Sequence, residues 1–247
     1  MAFYNFGKIT RTYRQVQRYR EVAAVLIKHG FRDVVSTLGL DRYLPWRRRP
    51  RKDAHELETL THYQRLRLVL TELGPTFIKF GQVLSMRRDI LPAALITELE
   101  KLQDRVPPFE SAEARRVLEE EHKKPLEEIF QEFEETPTAS ASIAQVHRAV
   151  LKSGEEVAVK IRRPGIRMVI ERDLDILAHL ASLAERMIEG AHLFEPQRIV
   201  EQFARMIRKE LDFTLEASNL RRFERNFQND DRLYVPQVYS DYSCDHV

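Results

Sequence analysis

A run of small residues followed by a lysine-bearing strand pattern constrains the fold of this chain most strongly. Positions 139–147 read Ala-Ser-Ala-Ser-Ile-Ala-Gln-Val-His, and Val-Ala-Val-Lys follows at positions 157–160. The residues of 146–151, and again those of 157–161, divide between two faces with the period of a β-strand. Ser153 and Gly154 lie between the two runs and favour a tight turn. The pattern predicts a loop of small residues and two strands joined by a turn, with Lys160 on the second strand.

The bulk composition is that of an ordinary soluble protein with an uneven charge distribution. The 247 residues carry a formal net charge of +2, which argues against a chain that binds nucleic acid through its overall charge. Residues 1–52 nevertheless hold thirteen Lys and Arg against three acids. The basic linker at 44–52, which contains one tryptophan, is either a solvated connector or a contact for an anionic membrane surface. No run of about 18 apolar residues exists, so no transmembrane helix is predicted.

Helical periodicity dominates the rest of the sequence. We predict helices over residues 16–38, 55–73, 75–86, 92–103, 111–120, 126–133, 166–189 and 197–227, and a third strand that begins at residue 235. The fold class is therefore α+β. We expect a basic amphipathic N-terminal segment (1–52), a helical extension (53–136) and a sheet-containing region (137–247).

Three carboxylates near residue 213 are candidate partners for Lys160. If residues 197–227 form one helix, Asp212 and Glu216 share a face, because they are four residues apart. Glu210 projects in another direction, about 200° from Asp212. The helix could thus offer one carboxylate to Lys160 and another to a second cation. The alternative is an acidic helix face that pairs with neighbouring basic side chains.

The second cation could be Lys79, which lies in the sequence Lys79-Phe80-Gly81-Gln82. Lys79 and Gln82 are three residues apart and share a helix face. Gly81 costs about 1 kcal/mol relative to alanine inside a helix, so its presence suggests close approach by another group. Read alone, the segment could equally be an amphipathic helix with a polar edge.

These segments together resemble the N-terminal part of the UbiB family of atypical kinases, which includes the mitochondrial coenzyme Q kinase-like proteins. The four matching segments are the KxGQ helix at 73–82, the alanine-rich loop at 139–147, the lysine strand at 157–166, and the ExD segment with a following glutamate at 210–217. Each motif alone is weak, but four in this order and spacing are specific. The similarity extends from about residue 57 to the end of the sequence.

The resemblance implies a protein-kinase-like upper lobe, in which a short antiparallel sheet packs with a helix that carries a glutamate. Lys160 would contact the phosphates of ATP or ADP, bound with Mg²⁺, and would pair with Glu216. The residues that the resemblance assigns to nucleotide binding are Ala139, Ser140, Ala141, Ser142, Ile143, Ala144, Gln145, Val146, Ala158, Lys160 and Glu216. Alanine lacks glycine's access to positive φ, and position 144 is Ala where many members have Gly, so we expect the phosphates to be held differently from those in ordinary kinases.

The resemblance also implies a regulatory contact, in which the helical extension folds over the active site. Its residues would be Lys79, Gly81, Gln82, Glu210 and Asp212, with Lys79 meeting the two carboxylates. In the family, an alanine-rich loop accompanies ATPase activity or phosphotransfer to small molecules or lipids, in ubiquinone or isoprenoid-lipid metabolism at a membrane. We therefore expect peripheral association with the cytoplasmic face of a membrane, and an isoprenoid lipid or a biosynthetic complex as possible partners.

The sequence contains no His-Arg-Asp and no Asp-Phe-Gly, the motifs that supply the catalytic and metal-binding groups of a kinase. It ends where a kinase would enter its hinge, so we expect a truncated kinase whose lower lobe and metal ligands lie outside this chain, and no turnover from the chain alone. Two alternatives stay open: a pseudokinase scaffold that binds lipid or a biosynthetic complex, and a helical membrane-surface protein. The absence of GxxxxGK[ST] and HExxH patterns argues against a P-loop site and a zinc hydrolase.

Overall fold

The computed structural model describes residues 3–44, 59–103 and 106–247. The described residues fall into two compact units. One, the helical unit, lies within Met1–Asp104 and Val169–Phe203; the other, the sheet unit, lies within Arg105–Met168 and Ala204–Val247.

The elements are mostly helices, as the sequence predicts, with a small antiparallel sheet. The helices are α1 (Phe3–Lys28), α2 (Arg32–Thr37), α3 (His62–Leu73), α4 (Pro75–Ser85), α5 (Ala93–Leu99), α6 (Ser111–His122), α7 (Leu126–Ile129), α8 (Ile166–Met187), α9 (Pro196–Glu210) and α10 (Phe213–Phe227). The strands are β1 (Phe130–Phe133), β2 (Ala139–Ser140), β3 (Ala144–Leu151) and β4 (Glu156–Arg162). Short 3-10 turns occur at Leu40–Tyr43, Ala191–Phe194 and Ser240–Tyr242.

Local sequence signals explain where the helices of the helical unit begin and end. Thr61 and Gln64 form a capping box, in which each side chain bonds the backbone N–H of the other, and this starts α3. The helix predicted from about residue 55 is therefore absent over residues 59–61. The part predicted before residue 59 lies outside the described residues. The helix predicted over 16–38 is broken between α1 and α2, because Gly30 adopts a left-handed φ of 83°.

Gly81 lies at the centre of the packing between α3, α4 and the end of α5. A Cβ atom at this position would lie 2.4 Å from Leu102 Cδ1 and 2.9 Å from Leu70 Cδ1. Leu99 Cδ2 would be 3.5 Å away. The close approach that the sequence suggests is therefore that of leucine side chains in the core, which a larger residue would displace.

A buried ion pair joins α1 to α8 within the helical unit. Arg18 Nε donates to Asp173 Oδ1 at 2.9 Å and Arg18 Nη2 to Asp173 Oδ2 at 3.2 Å. Arg18 Nη2 also lies 2.6 Å from the carbonyl oxygen of Leu73, at the end of α3. Asp173 is 1% exposed, so removing either partner would leave the other charge largely buried and unpaired, which is strongly destabilising.

The sheet of the sheet unit is built on β3. β4 pairs antiparallel with β3 along its whole length, from Ala144↔Arg162 to Val150↔Glu156. Since β4 lies along one side of β3, β1 and β2 both pair with the other side. Pro137, between β1 and β2, has no N–H to donate to the ladder. The buried face of the sheet packs on a core that includes residues of α6 and α7, among them Leu118 and Ile129.

The alternation predicted for the two central strands is confirmed by burial. In β3 the side chains of Gln145, His147, Ala149 and Leu151 are buried, and the intervening ones are partly exposed. Val159 and Ile161 of β4 are buried on the same core, whereas Lys160 is partly exposed. Lys160 therefore belongs to the open face of the sheet.

Three further predicted elements differ in the structure. The helix predicted over 126–133 stops at Ile129, and the chain continues as strand β1, which pairs with β3. The third strand predicted from residue 235 is absent from the described chain, where residues 233–239 have no regular secondary structure. The single helix predicted over 197–227 is two helices, because Asp212 takes extended backbone angles between α9 and α10.

We predict that Asp173→Ala lowers the free energy of unfolding by about 3–5 kcal/mol, because it leaves the Arg18 guanidinium largely buried without its counter-ion. Chemical denaturation of the purified chain measures this change. Glu21→Ala is the matched control, since Glu21 also bonds Arg18, at 3.0 Å, but is 48% exposed. We expect the control to cost less than about 1 kcal/mol, and equal losses from both variants would contradict the assignment.

Candidate functional site

Lys160 is held on the open face of the sheet by the first turn of α10. Its Nζ atom lies 2.6 Å from Glu216 Oε2, so the structure contains the predicted pair. The same ammonium group lies 4.6 Å from the centre of the Phe213 ring, which is a cation–π distance. The side chains of Lys160 and Glu216 are 37% and 50% exposed. The pair is therefore open to solvent, where a bound anion could reach the ammonium.

The prediction that Asp212 and Glu216 share a helix face is wrong. Asp212 is the N-cap of α10, and its Oδ1 accepts hydrogen bonds from the backbone N–H groups of Thr214, at 3.0 Å, and Leu215, at 3.4 Å. The Thr214 hydroxyl donates to the same oxygen, and this bond is the first cause that lowers the pKa of Asp212. The cap fixes the start of α10, and so places Glu216 one turn later, opposite Lys160.

The strand register aligns the small residues with Lys160. Lys160 is directly opposite Val146 across the β4–β3 ladder, and Val146 is opposite Ala139 across the β3–β2 ladder. Ala158 lies opposite Arg148, one step along the open face. Lys160, Val146 and Ala139 therefore form a row across the open face of the sheet, in which the cation has only small or medium-sized side chains beside it.

The alanine-rich loop is the tip of the hairpin between β2 and β3. The Ala141 N–H donates to the Ala144 carbonyl at 2.8 Å and closes the tip. None of residues 139–144 has a positive φ, so the tip is built from backbone conformations that alanine adopts readily. The hydroxyl oxygens of Ser140 and Ser142 are buried without a hydrogen-bond partner among the described residues. Such groups are costly when unsatisfied. Ser142 lies in the tip itself, whereas Ser140 is opposite Gln145 and shares its face of the sheet.

Gln145 turns away from the open face. It is 1% exposed, and its Oε1 accepts a hydrogen bond from the backbone N–H of Phe109 at 3.0 Å. Its Nε2 lies 2.8 Å from Nε2 of His147, which is fully buried. His147 Nδ1 lies 2.8 Å from the Glu134 carbonyl oxygen, to which it must donate, so His147 Nε2 accepts from Gln145. Gln145 therefore supports the hairpin from the core side.

The contacts of the segment that includes Pro107 and Phe109 are not evident from the sequence, where it is only a break in the helical pattern. In the sheet unit, residues 107–109 lie behind the hairpin tip. The Phe109 N–H donates to Gln145, and the Pro107 carbonyl accepts from Arg163. Two consecutive prolines at 107 and 108 signal a stiff extended segment. They do not reveal what that segment contacts.

The residues assigned to a regulatory contact lie in both units, and each is described in its own. In the helical unit, Gln82 Nε2 donates to the Leu102 carbonyl at 3.1 Å, Gly81 is buried and Lys79 is partly buried. In the sheet unit, Glu210 ends α9 and Asp212 caps α10. The contact of Lys79 with the two carboxylates stays a prediction.

Buried His147 gives the sheet unit an expected pH dependence. Burial lowers its pKa, against the opposing effect of the hydrogen bond to the Glu134 carbonyl. The unfolded chain therefore takes up this proton at a higher pH than the folded chain. The stability that the neutral ring contributes is fully present above the unfolded pKa of about 6.5, and it is lost as the pH falls toward the folded pKa.

We predict that the free energy of unfolding falls as the pH is lowered from about 7.5 to 5, and that His147→Gln reduces this slope. For one proton the slope can reach about 1.4 kcal/mol per pH unit. Denaturant titrations at several pH values measure the slope for both proteins, whatever the absolute stability of the variant. A variant slope equal to that of the wild type would assign the pH dependence to other groups.

Comparison with known proteins agrees with this architecture. Residues 101–247 match the ABC1 atypical kinase-like domain, which is more than half of the chain. The chain therefore belongs to the family of ABC1 atypical kinase-like domains.

Within that family the chain is UbiB-like. It is 47% identical over 234 residues to the probable protein kinase UbiB of Pseudomonas fluorescens SBW25, covering 92% of this chain and 43% of the relative. It is 46% identical over 242 residues to the protein of the same name from Pseudomonas paraeruginosa PA7, covering 98% and 44%. The chain thus spans less than half the length of these curated relatives.

A solved structure, that of the Rv3197–erythromycin complex from Mycobacterium tuberculosis, matches 76% of this chain and 46% of its own chain, with 32% identity and a TM-score of 0.48.

In the part of the chain that the structure describes, no helix is long and apolar enough to cross a membrane. The same residues contain no group of three His, Cys, Asp or Glu side chains arranged to hold a metal ion.

Proposed function

We propose that this chain binds the phosphates of an adenine nucleotide between the hairpin tip at 141–143 and Lys160. The observation that carries the proposal is the Lys160–Glu216 pair, 2.6 Å apart, beside a tip of small residues. A lysine that is fixed by a carboxylate and a ring face presents its ammonium at one place, which suits phosphate oxygens. Ala139, Val146 and Ala158 leave room on the same face of the sheet.

The residues present fit a nucleotide better than they fit a metal ion. The partly exposed ammonium of Lys160 is a donor for phosphate oxygens, and the Ser142 hydroxyl at the tip has no hydrogen-bond partner among the described residues. When bound, ATP with Mg²⁺ supplies a transferable phosphoryl group. The role of this chain would be to hold the phosphates, and the tip would do so without the left-handed residues of a glycine loop.

We propose further that the chain is the N-terminal part of a UbiB-like atypical kinase or ATPase, with a substrate in ubiquinone or isoprenoid-lipid metabolism. The names of its relatives and their greater length support this proposal. A non-catalytic scaffold that uses the nucleotide as a ligand is the alternative, and phosphotransfer by the longer protein would distinguish the two.

We predict that Lys160→Met weakens the binding of ADP by about 10- to 100-fold, because it removes a charge-assisted hydrogen bond to phosphate. Isothermal titration of the purified chain measures the affinity. Since the Lys160–Glu216 pair is partly exposed, the variant should lose less than about 1 kcal/mol of stability, so weaker binding would not reflect unfolding. Lys152→Met, in the exposed turn after β3, is the matched control and should bind as the wild type does. Unchanged affinity in the Lys160 variant would refute the proposal.

Peripheral association with an anionic membrane surface is a second proposed property. Four large apolar side chains are exposed around the turn that follows α8 in the helical unit: Met187 (55%), Ile188 (46%), Leu193 (74%) and Phe194 (51%). Exposed apolar residues in one short stretch are typical of an interaction surface. The basic character of residues 1–52 would add electrostatic attraction to anionic lipids, although residues 45–52 lie outside the described chain.

We predict that the double variant Leu193→Ser/Phe194→Ser reduces co-sedimentation with vesicles of phosphatidylcholine and phosphatidylglycerol at least severalfold, because less apolar area can enter the interface. Leu233→Ser/Tyr234→Ser is the matched control, since it alters two consecutive exposed apolar residues of the sheet unit, Leu233 (43%) and Tyr234 (90%). Equal binding by the two double variants would exclude the 187–194 turn as the contact.

A further inference from the structure

Arg163 follows β4 directly and contacts the hairpin tip from the side of residues 107–109. Its backbone N–H donates to the Ile143 carbonyl at 2.8 Å. Its guanidinium Nη2 donates to the Pro107 carbonyl at 2.8 Å and, at the longer distance of 3.5 Å, to the Ala141 carbonyl. The guanidinium carbon also lies 5.2 Å from the centre of the Phe109 ring. One side chain thus joins the tip to the 107–109 segment.

This side chain is partly withdrawn from water. Burial lowers the pKa of Arg163, with a smaller opposing effect from Glu113, and the guanidinium still stays charged at any ordinary pH. A desolvated cation forms stronger hydrogen bonds with the carbonyls that it meets. The hydrogen bonds of Arg163 to these carbonyls are therefore suited to fixing the position of the tip.

The 107–109 segment is held from its other end as well. The backbone N–H of Phe109 donates to Gln145 Oε1, at 3.0 Å, and Gln145 is the second residue of β3. Arg163 therefore connects the stiff segment to the tip itself, and Gln145 connects the same segment to β3. A displacement of the tip would have to break contacts on both sides.

The orientation of a carbonyl fixes the N–H group of the next residue, because the peptide unit is planar and trans. With the Ala141 carbonyl directed at Arg163, the N–H of Ser142 points away from Arg163. In the same way, the Ile143 carbonyl, which accepts from the Arg163 backbone, directs the N–H of Ala144. The direction of the backbone donors at the tip is thus tied to the position of Arg163.

We propose that Arg163 is a positioning residue of the nucleotide site, which holds the tip at 141–143 so that its backbone donors face the phosphates. This inference rests on the proposed nucleotide binding at the same site. Arg163 acts through the tip and does not touch the nucleotide. Its effect is therefore confined to the part of the ligand that the tip covers, the phosphates, and does not extend to the adenosine moiety.

The experiment compares the affinities of the purified chain for ADP and for adenosine in three variants. Arg163→Met keeps the backbone bond to Ile143 but removes the guanidinium, and we expect ADP affinity to fall about tenfold, the order of one hydrogen bond to a charged group. Adenosine affinity should not change. Arg163→Lys, which keeps a charged donor but not the fork, should restore part of the ADP affinity.

Arg167→Met is the matched control, because Arg167 is an exposed arginine four residues further on, at the start of α8, and should leave both affinities unchanged. Equal losses for ADP and adenosine in Arg163→Met, or no loss for ADP, would overturn the positioning role. If the wild-type chain bound neither ligand, the proposed function would fail and this inference with it. If the wild type bound ADP but the Arg163 variants did so equally well, the inference alone would fail.

Discussion

The break between α9 and α10 is the constraint on which the candidate site depends. Arg162 and Lys160 lie two residues apart on β4, and they contact the two sides of this break. The buried guanidinium of Arg162 donates to the Leu211 carbonyl at 2.7 Å, whereas Lys160 reaches Glu216 in the first turn of α10. If the helix continued through Asp212, the Leu211 carbonyl would accept an intrahelical hydrogen bond instead of the one from Arg162, and Glu216 would point in another direction. The ion pair thus follows from the place where one helix ends and the next begins.

The site combines two kinds of support that differ in energy. The Lys160–Glu216 pair is solvent-exposed, so it adds little to stability and is free to change its interactions when an anion arrives. The layer behind the tip is the opposite, because Gln145, His147 and the 107–109 segment are joined by buried hydrogen bonds that are costly to break. An adaptable ion pair beside a rigid, hydrogen-bonded layer supports the proposal that the loop holds phosphates without glycine.

The sequence predicted the two central strands of the sheet correctly, but not its outer strands. Alternation in β3 and β4 was correct residue by residue, since a period of two depends only on neighbours along the chain. The helix over 197–227 was predicted as continuous although Asp212 is a strong N-cap residue, because the apolar spacing persists on both sides. Gly81 was correctly predicted to be a point of close approach, but its partners, Leu70 and Leu102, could not be named, since they come from other segments of the chain.

By itself, the sequence determined the two central strands, the turn between them, the small residues of the tip and the family to which the chain is similar. These properties arise from residues that are close along the chain, where backbone geometry and side-chain period act directly. Only the tertiary structure decided that Asp212 caps a helix, that Gln145 supports the hairpin from the core, and that Arg163 joins the tip to residues 107–109. Each of these depends on which side chains compete for the same donor or acceptor after the chain has folded back over tens of residues, and no local pattern records the outcome of that competition.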